Sequence, residues 1–200
     1  MTIKKDEKVL VHLDSGCCWK DSTKIGLFSF LGENTKQLIL EQYSGGASCC
    51  YSYKIYELIP TMRLIFYDKE YVDAYALRGA LRPVDFHEKG KYDIIMGVGR
   101  FKGFDTLCQA CSPVPYVVFS YDSKREKFVV SNKKFSNYIL RNIEKDIHAF
   151  EEIDINIDKY NDDYLSKILT IILNYIYAGK EEEGWLFYNS RFHHRTLFFY

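Results

Sequence analysis

Apolar and aromatic side chains alternate with polar ones in short runs through the first two thirds of the chain, the period of a pleated strand. The alternation predicts strands over Lys8–Leu13, Lys24–Phe30, Gln37–Tyr43, Cys49–Ile59 and Met62–Tyr67. Gly32-Glu33-Asn34 supplies a turn composition that tolerates positive φ. Pro60, which has no N–H for a ladder, separates the last two runs. A second set follows over Arg82–Phe86, Tyr92–Val98, Tyr116–Asp122 and Lys127–Ser131, with turns at Glu88-Lys89-Gly90 and Ser123-Lys124-Arg125-Glu126.

The two sets share a pattern. When Ser29–Leu40 is laid over Asp85–Met96, a strand end with Phe, a polar turn and an aliphatic triplet fall at the same offsets. The expectation is a mainly β fold of two four-stranded antiparallel meanders, each shaped like a propeller blade. Two blades cannot close a ring, so the predicted arrangement is a partial propeller or a sandwich of two sheets. The last third changes to a helical period. Lys133 to His148 holds a short predicted helix, and Tyr164, Leu165, Ile168, Leu169, Ile171, Ile172, Tyr175 and Ile176 form the stripe of another, begun near Asp162 and ended at Gly179. Glu181-Glu182-Glu183 opens a further helix carrying Trp185, Leu186 and Tyr188, and the tail Leu197–Tyr200 is apolar enough to dock back. The predicted organisation is a β-rich repeat domain over residues 1–132 and a C-terminal helical cap over residues 133–200.

Composition agrees with the β reading: 17 Tyr and 14 Phe favour half-buried pleated surfaces. Lys+Arg and Asp+Glu balance at 27 each, without the basic excess of a nucleic-acid binder. No apolar window reaches the ~18 residues of a membrane span. The charged start Met1–Lys8 lacks the apolar core of a leader, which leaves a cytoplasmic protein or an exported one whose leader has been removed.

The six cysteines come as three close couples: Cys17-Cys18, Cys49-Cys50 and Cys108 with Cys111. Adjacent residues on a strand point to opposite faces, so neither doublet suits a zinc knuckle. Cys108-Gln109-Ala110-Cys111 is followed by Ser112-Pro113-Val114-Pro115, which cannot begin the helix that activates a thioredoxin-type thiol. The expectation is a disulfide framework, with Cys108 joined to Cys111 and the two doublets linked to each other; a zinc or redox site is the alternative.

Three segments resemble bacterial proteins with integrin-α-like FG-GAP, or VCBS, repeats. Tyr43-Ser44-Gly45-Gly46-Ala47-Ser48-Cys49-Cys50-Tyr51 is similar to a Ser-Gly-Gly-Ala-x-Cys-Cys segment of that group. Val84–Ile95 resembles the Asp-rich repeat turn, and Tyr177–Trp185 a helix-turn-Trp ending. The resemblance implies a β-rich, propeller-like, usually exported protein with no established chemistry. The repeat turn of the group can bind calcium through Asp-x-Asp-x-Asp-Gly-x-x-Asp, but here Asp85, His87, Lys89, Gly90 and Asp93 stand at those positions. A nitrogen ligand and a competing cation do not suit a hard metal ion, so a structural turn is expected.

No nucleophile elbow, zinc-protease helix or phosphate loop occurs. The glycine- and proline-rich run from Gly97 to Pro115 exceeds the usual ~12–15 residues of a connection, which makes it functional or pinned. Its Arg100, Phe101 and Phe104 are the candidate binding residues, because aromatics beside cations suit interfaces. The sequence therefore points to a non-catalytic, periplasmic or secreted domain with no cofactor and no metal, binding an unknown protein or cell-envelope ligand or serving as a structural module. A cytosolic metal-binding or thiol-redox protein using the cysteine couples is the alternative.

Overall fold

The computed structural model describes residues 2–5, 8–12, 22–43, 51–70, 81–101, 103–104, 107–108, 112–151 and 162–192. Ten strands and three α-helices follow in order: β1 Thr2–Lys5, β2 Lys8–His12, β3 Ser22–Phe28, β4 Gln37–Tyr43, β5 Tyr51–Glu57, β6 Arg63–Tyr67, β7 Arg82–Val84, β8 Asp93–Gly97, β9 Tyr116–Asp122, β10 Lys127–Val130, α1 Ser136–Glu151, α2 Asp162–Tyr177 and α3 Glu181–Phe192. The fold is two four-stranded antiparallel meanders, β3-β4-β5-β6 and β7-β8-β9-β10, with three C-terminal helices. β1, which lies in the charged start and carries no alternating signal, pairs with β2 as a separate two-stranded sheet. The run at Lys8 thus joins a hairpin rather than the first meander.

The chain divides into two compact units, residues 1–94 with 120–129, and residues 95–119 with 130–200. In the first, the register of β3 on β4 runs from Ser22 opposite Tyr43 to Phe28 opposite Gln37. One face of this sheet carries Ile25, Leu27, Leu38, Leu40 and Tyr56. The other carries Lys24, Gly26, Phe28, Ile39, Glu41, Tyr53 and Ile55. An aromatic column builds the core against that second face: Phe30 lies edge-on to Phe28 and Phe128, and Phe128 to Phe66 and Tyr121, with centroids 4.7–6.2 Å apart. Arg63 anchors the same unit, bonding Glu57 and Glu126 and donating to the Tyr121 hydroxyl at 3.2 Å.

The Glu88-Lys89-Gly90 turn is held by Asp85. Its Oδ1 accepts the N–H groups of His87 and Lys89 at 3.1 and 3.2 Å, and its Oδ2 that of Gly90 at 2.6 Å. Gly90 takes φ +65, a conformation that glycine enters without strain. The aspartate resembling a calcium ligand is therefore spent on backbone donors.

In the second unit Asn132 stands in for a strand neighbour. Its Oδ1 accepts the Val118 N–H at 2.8 Å, and its Nδ2 donates to the Tyr116 carbonyl at 3.2 Å. Asn174 of α2 accepts the Tyr116 N–H at 3.0 Å. α2 ends as its pattern predicts, with Gly179 at φ +75 after the last turn and α3 starting at Glu181. Arg191 of α3 lies over the rings of Phe150 and Phe187 and bonds Glu151 at 2.7 Å. It is thus part of the helical packing, and the 197–200 tail lies outside the described residues.

Candidate functional site

A candidate recognition surface lies along β3. This strand bonds to β4 on one side and, among the described residues, to no strand on the other. Lys24, Ile25, Gly26 and Leu27 are consecutive and all exposed, Ile25 to 44% and Leu27 to 62%. The chain forms a strand here because Ile25 and Leu27 share a face with Leu40 and Leu38 of β4, and those two are buried.

Two shallow hollows adjoin the strand and share Phe28. One, of about 290 Å³, lies on the face bearing Gly26 and Ile39 and is walled by Leu81 and Pro83. A polar end is made by Glu41, which pairs with Lys24 at 3.6 Å and accepts the Tyr53 hydroxyl at 3.0 Å. The other, of about 340 Å³, is lined by Leu27, Ser29, Glu33, Lys36 and Tyr92 as well, with Lys36 donating to Ser29 at 2.8 Å. Tyr92 packs edge-on to Phe28 at 4.9 Å. Apolar walls, balanced charges and hydroxyls in satisfied pairs suit the side chains of an extended segment, whose main chain would bond to the strand edge.

Two buried polar groups belong to the same unit. Gln37 Oε1 accepts the N–H groups of Phe30 and Leu31 at 2.7 and 3.3 Å and shapes the turn after β3. Asp68, fully buried after β6, accepts the Ser52 hydroxyl at 3.1 Å and the Lys69 N–H at 2.9 Å through Oδ1, while its Oδ2 has no partner among the described residues. Burial pushes its carboxyl above the ordinary range, against the hydrogen bonds from Tyr53, Ser52 and Lys69.

Protein-family models, curated proteins and solved structures were compared with this chain, and none matches it. The site is therefore read from its own chemistry.

The sequence-predicted loop is held down at several points. Ser112 Oγ accepts the Gly103 N–H at 2.8 Å and donates to the Cys108 carbonyl at 2.9 Å, and Val98 N–H bonds Pro115 at 2.8 Å. Arg100 is exposed, Phe101 half-buried and Phe104 51% exposed, so of its two Phe residues only Phe104 offers a free ring. Cys108 is exposed. Cys17, Cys18, Cys49, Cys50 and Cys111 lie outside the described residues, as does the Ser44–Cys50 segment that carries the family resemblance.

Among the described residues no three His, Cys, Asp or Glu side chains converge as a ligand set, and no helix is long and apolar enough to cross a membrane. The sequence points to Arg100–Phe104 as the candidate recognition loop, and β3 is a second candidate surface that it did not single out. A local feature of β3 is Gly26, a glycine inside a strand run, which marks a bulge, a bend or a close approach of a ligand or backbone.

Proposed function

We propose that the chain is a non-catalytic, extracytoplasmic binding module, stapled by disulfides, that recognises an extended segment along β3. The observation that carries this reading is the run of four exposed residues, Lys24 to Leu27, on a strand that ends its sheet among the described residues, with two hollows that share Phe28. Strand addition at such an edge draws affinity from main-chain hydrogen bonds and selectivity from pockets for alternate side chains. Six cysteines in three close couples suit an oxidising compartment, where disulfides persist. The resemblance to FG-GAP proteins points the same way.

Two experiments test the two halves of the reading. Selection of a random peptide library on the wild-type protein and on Leu27→Lys should enrich alternating aliphatic sequences on the wild type alone; equal enrichment on both removes β3 as the site. Intact mass after thiol alkylation, before and after reduction, should show no labels and then six, in line with the six cysteines. Free thiols that become protected only when zinc is added would favour a metal protein instead.

A further inference from the structure

Among the described residues six strands end a sheet, and all but β3 carry protection against pairing: β1 and β2 are four and five residues long and carry Lys4, Lys5 and Lys8. β7 is three residues long and holds Pro83, which cannot donate. β10 is four residues long and begins with Lys127. β6 is five residues long, and Arg63 at its start is tied to Glu57 and Glu126. β3 is seven residues long, has no proline, and bears one charge, Lys24.

Gly26 in its centre is not explained within the chain. Its φ is not among the positive values, and a Cβ placed on it would meet nothing within 4 Å. A strand-interior glycine weakens its strand and marks a bulge, a bend or a place that a ligand or another backbone approaches closely.

We infer that β3 pairs antiparallel with β3 of a second copy about a two-fold axis through Gly26. The inference rests on the reading of β3 as a recognition edge and names its occupant. A two-fold axis normal to the sheet keeps each side chain on its own face, so the axis must pass through a residue rather than between two. An axis at Lys24 sets two like charges opposite each other. An axis at Ile25 leaves Lys24 facing the bare Gly26 and Leu27 facing Thr23. An axis at Gly26 sets Ile25 opposite Leu27 twice and Lys24 opposite the Phe28 ring twice, with the two glycines at the centre. The formal net charge of zero imposes no repulsion between copies. The contact is isologous and closes as a dimer. One strand edge buries less than the ~800 Å² per partner of a standard interface, so a dissociation constant of roughly 10–100 μM is expected.

Sedimentation velocity over a concentration series tests this on the full chain. The wild type should pass from monomer to dimer. Leu27→Lys, a change at an exposed position, should raise the dissociation constant at least ~10-fold, while Val130→Lys on the β10 edge should leave it unchanged. The register is read by mixing Ile25→Cys with Leu27→Cys under mild oxidation and finding the peptide that links positions 25 and 27 between chains. A dimer indifferent to Leu27→Lys, or one without that link, overturns the proposal. So does a monomer at every concentration. If such a monomer still selects aliphatic peptides at β3, the edge reading stands with a foreign strand as its occupant; if it selects none, both fall.

Discussion

Gln37 holds Phe30 in place: its carboxamide oxygen accepts the Phe30 N–H at 2.7 Å with both residues fully buried. Phe30 in turn accepts the Tyr92 N–H at 2.8 Å, so a single side chain of β4 fixes the end of β3 and the wall of the larger hollow. Gln37→Leu keeps the bulk and removes the acceptor. It should cost about 1–3 kcal/mol in urea unfolding, the penalty of a buried donor left unpaired. An unchanged midpoint would mean that the turn after β3 is held by packing alone.

Gly97 is required by packing. A Cβ there would lie 2.7 Å from Val114 Cγ1, closer than any real contact. Gly97→Ala should destabilise by about 1–3 kcal/mol, the usual effect of overpacking. Adding Val114→Ala should restore much of the loss, and a double mutant no better than the single would contradict the contact.

Arg63 meets two carboxylates and a phenol through one planar group, and the Glu57 hydrogen bond raises its already high pKa. A lysine cannot reproduce that fork. Arg63→Lys should lower the urea midpoint measurably, whereas Lys24→Gln, which removes an exposed pair with Glu41, should leave it within error.

Three aspartates divide the pH dependence of stability. Desolvation raises the Asp85 carboxyl, but N–H donors from Lys89, Gly90, His87 and Glu88 outweigh it, and the N–H groups of Lys124 and Arg125 lower Asp122. Their contributions are present above the unfolded value of about 3.9 and are lost as pH falls through the lower native values. Asp68 has the opposite sign: burial raises its native pKa. Its contribution is full below about 3.9 and is lost as pH rises through the raised value. Denaturation from about pH 2 to about pH 7 should show the Asp68→Asn curve flat where the wild type declines, and the Asp85→Asn curve flattened only at the acid end. Parallel wild-type and Asp68→Asn curves would remove Asp68 from the account.

Strand and helix positions were legible because local alternation and local helical period decide them. Gln37–Tyr43 and Tyr116–Asp122 agree with the observed strands at both ends. Thr2–Lys5 was not legible, since its Lys4 and Lys5 mask any apolar alternation. The site was harder to see. Which strand ends a sheet depends on pairings between distant segments, and Ile25 and Leu27 look like core residues until β3 proves, among the described residues, to end its sheet. The burial of Asp68 and Gln37 is equally non-local, because nothing in their own neighbourhoods distinguishes them from surface residues. Gly26 alone carried a local hint.

Amide hydrogen exchange at low and high protein concentration tests the central claim most directly. Self-pairing predicts that the peptide covering Lys24 to Leu27 gains protection as concentration rises, while those covering the edges β6 and β10 do not change. Exchange at β3 that is fast and identical at both concentrations would contradict it.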